Sequence, residues 1–88
     1  MSTFILAAER IVRARTLIQQ ARTAPVPDEL GKYDLSYVAQ IRDLLRQARD
    51  LVKFIPQTAG VSAEMKEEVK KIYQEIEDAN RETFGRSD

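Results

Sequence analysis

Few side chains in this sequence could do chemistry, and most of those are spaced against it. The 88 residues include no histidine, cysteine or tryptophan. That removes the commonest general base, thiolate nucleophiles, disulfides, and the imidazole and thiolate ligands of most zinc and iron–sulfur sites. An enzyme would have to work with carboxylates, lysine, tyrosine or serine. Serines occur only at 2, 36, 62 and 87, three of them at helix starts or in the tail, where a hydroxyl serves as a cap or faces solvent. The adjacent carboxylates Glu67–Glu68 and Glu77–Asp78 point about 100° apart on a helix and share neither a proton nor a metal. Glu64 and Glu68, at i and i+4, are the one pair that could hold a divalent cation, but the lysines beside them favour a solvated face. Gly31, Gly60 and Gly85 stand alone, so no glycine-rich loop is available to cradle a phosphate. The expectation is a non-enzyme with no metal and no cofactor.

The elements that carry these residues follow from punctuation. A chain of this length is one domain, and it buries only about 60% of the surface its unfolded form exposes, so its apolar residues must serve one core. Leu, Ile, Val and Phe make 23 of the 88 residues, more than a disordered chain carries. The prolines (25, 27, 56) and glycines (31, 60, 85) all fall where apolar periodicity is missing, leaving three uninterrupted segments. Helix 1 is expected over about 3–23, capped by Ser2 or Thr3, with Phe4, Ala7, Ile11, Ala14, Ile18 and Ala21 at three- and four-residue spacing. A linker follows at 24–33, with a short turn at 27–30 and Val26 or Leu30 closing one end of the core. Helix 2 is expected over about 34–55, starting at Asp34 or Ser36, on a stripe of Val38, Ile41, Leu45, Ala48, Val52 and Ile55. Pro56 ends it by disfavouring helical geometry at the residue before. After a linker at 56–61, Ser62 caps helix 3, over about 62–83, whose stripe is Met65, Val69, Ile72, Ile76 and Ala79; Gly85 stops it, and Phe84 in the tail at 84–88 closes the bottom of the bundle. No segment alternates as a strand does. The fold class is therefore all-α, a single three-helix bundle with an up-down-up path. The shared phrase Leu17-Ile18-Gln19-Gln20-Ala21-Arg22 and Leu44-Leu45-Arg46-Gln47-Ala48-Arg49 reads as convergent amphipathic patterning, not a repeat.

Charge placement says more than charge content. Fourteen basic and fourteen acidic residues cancel, yet residues 1–55 carry nine basic and six acidic, and residues 56–88 five and eight. On helix 2, Arg42, Arg46, Arg49 and Lys53 project within an arc of about 60° along one flank of the apolar stripe. On helix 3, Glu64, Glu68, Glu75 and Glu82 fall within about 40°. Antiparallel neighbours bring like flanks together and parallel neighbours bring opposite flanks together. Helices 2 and 3 are antiparallel and their charged stripes lie on opposite flanks, so the stripes should not meet. The acidic stripe is expected to approach Arg15 and Arg22 of helix 1, leaving the basic stripe without an internal partner.

From this follows the functional expectation: an intracellular protein-interaction module, an adaptor or regulatory subunit in cytoplasm or nucleus. Its groove, edged by Arg42, Arg46, Arg49 and Lys53 with Tyr37, would bind an acidic amphipathic helix or a phosphorylated peptide. The plainer alternative is a solvated face partly offset by Asp43 and Asp50. Phe54 projects away from the core stripe: folded back under the second linker it is structural, and exposed beside Lys53 it extends the surface. The other reading of function is a nucleic-acid-binding domain using the Arg-rich helices 1 and 2, opposed by the zero net charge. No membrane partner is expected, since the apolar run near Phe4 is too short for a signal peptide or a span. The heptad regularity of helix 2 leaves room for self-association.

Overall fold

The computed structural model describes residues 6–85 and consists of three helices, α1 (Ala7–Thr23), α2 (Leu35–Val52) and α3 (Ala63–Phe84), with no strand among the described residues. Each helix buries one stripe. Ile11, Ala14, Ile18 and Ala21 come from α1, Ile41, Leu45, Ala48 and Val52 from α2, and Val69, Ile72, Ile76 and Ala79 from α3; together with Ile55 they form one core. Val38 and Met65, at the ends of their stripes, are half-buried. Four alanines, one or two from each helix, are at most 1% exposed, and their small side chains let the helix backbones approach closely. Contacts at Arg10–Leu51, Arg22–Glu82 and Arg42–Phe84 fix the path as up-down-up, with α2 antiparallel to both its neighbours. No described helix is long and apolar enough to cross a membrane.

Helix ends follow local chemistry. Asp34 caps α2, its carboxylate accepting from the Tyr37 N–H at 3.0 Å, and the Ser62 hydroxyl caps α3 by accepting from the Met65 N–H at 3.1 Å. Each satisfies one of the otherwise unpaired first-turn donors. Ala24 is extended, the geometry favoured before a proline, and α1 ends at Thr23. At the other end of α1, Leu6 occupies the capping position without a side-chain cap; Ser2, Thr3 and Phe4 lie outside the described residues, as does the tail beyond Gly85. Gly85 has φ of +74° and donates to the Arg81 carbonyl at 2.7 Å, a left-handed stop that glycine adopts without strain.

Three expectations need correction. Helix α2 stops at Val52, not near 55, because Pro56 has no N–H to offer the Val52 carbonyl four residues back. The chain instead tightens into a 3₁₀ turn, Ile55–Gln57, which still delivers Ile55 to the core. The turn in the first linker is a 3₁₀ turn at Gly31–Tyr33, a few residues later than expected, beginning where Gly31 takes φ of +56°. Finally, Val26 and Leu30 are exposed and close nothing; the Tyr37 side chain fills the core at that end instead.

The caps and the alanines make separable predictions for urea unfolding. Asp34→Ala and Ser62→Ala should each cost about 1 kcal/mol, while Ser36→Ala, at the position that does not cap, should stay within about 0.5 kcal/mol. Ala48→Leu should cost at least about 1–3 kcal/mol, because a larger side chain forces the helices apart.

Candidate functional site

The flanks of α2 border two grooves of different chemistry. Toward α3, Arg42, Arg46 and Arg49 stand at i, i+4 and i+7 along one lip, over Leu45 and Ile76, with Glu77 and Asn80 on the opposite lip; the volume is about 380 Å³. The floor is nearly closed, since Leu45 and Ile76 are both buried. What this groove offers a ligand is its rim.

The sequence-predicted site residues divide among three places. Arg42, Arg46 and Arg49 come together on the α3-facing lip, as the projection required. Arg42 is held there by Phe84, the guanidinium carbon lying 5.4 Å from the ring centroid, a cation–π contact that leaves guanidinium donors available. Arg46 pairs along its own helix with Asp43 and, at 3.5 Å, with Asp50. Arg49 makes no ion pair among the described residues. Lys53 lies beyond the groove lining, where it pairs with Asp50 at 3.3 Å and covers the Phe54 ring at 5.2 Å. Tyr37 is only 6% exposed and belongs to the core, not to a groove edge. Phe54 is 62% exposed, so it does not fold under the linker. It sits on the other flank of α2, beside Leu6, Ala7, Arg10, Leu51, Ile55 and Thr58, away from the arginines.

That other flank is the part that sequence reasoning missed. Between α1 and α2 runs a groove of about 560 Å³ lined by Arg10, Arg13, Thr16, Leu17, Gln47, Asp50 and Leu51. At one end it meets the hollow beside Phe54, sharing Arg10 and Leu51 with it. Arg10 donates across to the Leu51 carbonyl at 3.3 Å. The signal was present: Leu17, Leu44 and Leu51 project just outside the strict stripes, and each is half-buried at the core border. An extra apolar residue on the same flank of two antiparallel helices marks a seam that the core alone does not cover.

The acidic edge of α3 meets α1 as expected at Glu68, Glu75 and Glu82, while Glu64, in its first turn, is exposed and makes no ion pair among the described residues. Arg15 bonds Glu68 at 2.6 Å and Glu75 at 3.2 Å, and Arg22 bonds Glu82 at 3.2 Å. Burial opposes the charge on Arg15, but the bonds from Glu68 and Glu75 outweigh it and its pKa rises. Chiefly through that bond, the Arg15 guanidinium holds the Glu68 carboxyl below the usual carboxylate range. Glu68 is thus committed to Arg15 and Lys71, not paired with Glu64 around a cation. Among the described residues, no cluster of three or more potential ligands could hold a metal. No protein-family model, curated protein or solved structure matches this chain.

The bridge to Arg15 gives folding a pH dependence of definite sign. A carboxyl whose folded pKa is depressed stabilises the fold fully above its unfolded pKa of about 4.3, and that contribution is lost as pH falls through the lower folded value. Glu68→Gln should therefore lower the urea midpoint at pH 7, and the deficit should be smaller at about pH 3, below the unfolded pKa. A deficit of equal size at both pH values would exclude the charge as its cause.

Proposed function

We propose that the chain is a non-catalytic interaction module whose α2–α3 groove binds an acidic or phosphorylated peptide segment. The observation that carries this reading is the lip of Arg42, Arg46 and Arg49: three guanidinium groups on one edge, with the acidic edge of α3 turned away toward Arg15 and Arg22. Guanidinium forks suit carboxylate and phosphate oxygens. Because the apolar floor is almost closed, recognition runs through charge on the rim, which favours an acidic or phosphorylated segment over a helix inserting large apolar side chains. Rim contacts of this size bind weakly and depend on salt. A regulatory or adaptor role inside a cell fits such an interaction, and a cysteine-free chain suits a reducing compartment.

A nucleic-acid surface is the weaker reading. Asp43 and Asp50 lie among the arginines, pairing with Arg46, and Glu77 occupies the facing lip, so a long phosphate backbone would meet negative charge on both sides.

Fluorescence anisotropy with a doubly phosphorylated, Glu-rich 15-residue peptide tests the proposal. Binding is expected in the micromolar range and should weaken about tenfold or more in the Arg42→Glu/Arg46→Glu/Arg49→Glu variant. It should hold within about twofold in Lys66→Glu/Lys70→Glu, which alters charge elsewhere on α3. Equal loss in both variants would reduce the effect to net charge, and tighter binding to a DNA duplex than to the peptide would favour the nucleic-acid reading.

A further inference from the structure

The groove between α1 and α2 differs from the arginine groove in having apolar walls and lips of opposite sign. Leu17 and Leu51 line it, and at one end it opens beside Leu6 and Phe54, which are 67% and 62% exposed. Arg13 stands on the α1 lip and Asp50 on the α2 lip, without an ion pair between them. Each is held only along its own helix, Arg13 by Glu9 at 3.5 Å and Asp50 by Lys53 and Arg46. Exposed pairs of that kind exchange partners at little cost.

From this self-complementary arrangement we infer that two copies of the chain pair through their α1–α2 faces. A two-fold axis parallel to the helices sets the α1 lip of one copy against the α2 lip of the other at the same height, and closes the assembly after two. Arg13 then meets Asp50 of the second copy, twice. At the open end, Leu6 meets the second copy's Phe54, also twice. The four central helices alternate in direction, so every neighbour is antiparallel and each hairpin gains the two helices that complete a four-helix arrangement around the seam. An unrelated acidic helix fits less well, because it would satisfy Arg13 and be repelled by Asp50. The face suits a weak dimer in size as well. Helix α1 has 17 residues, about 25 Å, and two helices side by side span about 20 Å. The footprint is on the order of 500 Å² per copy, at the low end for specific association.

Analytical ultracentrifugation from about 5 μM to 1 mM tests this, spanning the weak affinities such an area supports. The weight-average mass should climb from 10.1 kDa toward twice that value. Phe54→Ser, Arg13→Asp and Asp50→Arg should each weaken pairing about tenfold or more, and the Arg13→Asp/Asp50→Arg double variant should recover to within about threefold of wild type. Circular dichroism confirms that each variant is folded. The Arg42→Glu/Arg49→Glu variant, which disables the rim of the peptide groove and leaves Arg46 beside Asp50, should dimerise as wild type does, so the two proposals fail separately. A protein that stays monomeric to 1 mM overturns the inference. So does a dimer indifferent to Phe54→Ser, or single charge reversals that the double variant does not rescue.

Discussion

Arg15, reaching two carboxylates two turns apart on α3, is the contact on which the arrangement of the proposed binding surface depends. It does not hold the fold together. A single buried isoleucine such as Ile41 or Ile72 contributes more than an exposed ion pair, and the core is built of many such residues. Apolar stripes, however, are indifferent to the hand of a three-helix bundle: α3 can lie on either side of the α1–α2 hairpin and still bury its stripe. Charge distinguishes the two. In the observed hand, the Arg15 and Arg22 edge of α1 meets the acidic edge of α3. In the other, every helix exchanges its flanks. Arg15 and Arg22 would then border the same interface as Arg42, Arg46 and Arg49, placing like charges along antiparallel helices. Repulsion in the wrong arrangement and attraction in the right one act together to specify the hand. The same choice leaves the arginines of α2 facing a groove whose other lip carries one carboxylate, Glu77.

Why much of this was legible in the sequence, and why some was not, comes down to what periodicity encodes. A three-and-four spacing gives the angular position of a side chain about its helix axis, and that sufficed for Ile11, Ile18, Ile41, Leu45, Ile72 and Ile76, all buried where the stripes put them. Angular position together with antiparallel direction was also enough to send Glu68, Glu75 and Glu82 to α1. Axial position is what the pattern lacks. Tyr37 projects to the edge of its stripe, but it stands in the first turn of α2, where its ring fills the core that Val26 and Leu30 leave uncovered. Phe54 lies just beyond the last turn of α2, after Pro56 has withdrawn the hydrogen bond that would have continued it. Its surroundings are therefore set by the 3₁₀ turn and by the start of α1, neither of which a helical projection of α2 includes.

The α1–α2 groove escaped notice for a related reason. Leu17, Leu44 and Leu51 satisfy the amphipathic pattern well enough to read as ordinary core. Only the depth of the packed bundle shows that alanines at 14, 21 and 48 draw the two backbones together, so that leucines one step outside the stripe overhang the core and wall a groove. Small residues at the centre and large ones at the margin thus have one cause and two effects, a thin core and an apolar seam.

The two grooves lie on opposite flanks of α2, and that separation shapes how they would act together. Pairing through the α1–α2 faces covers Leu6, Leu17, Leu51 and Phe54 while leaving Arg42, Arg46 and Arg49 on the outer flank of each copy. A dimer would then present two basic grooves held at a fixed spacing. Where a partner carries two acidic segments whose linker spans that spacing, binding of the first raises the effective concentration of the second, so the assembly can hold tightly what each shallow rim holds weakly. A small chain with a thin core has little area for one strong interface. Dividing its surface between a self-complementary seam and a charged rim lets affinity arise from geometry shared by two copies, not from depth within one.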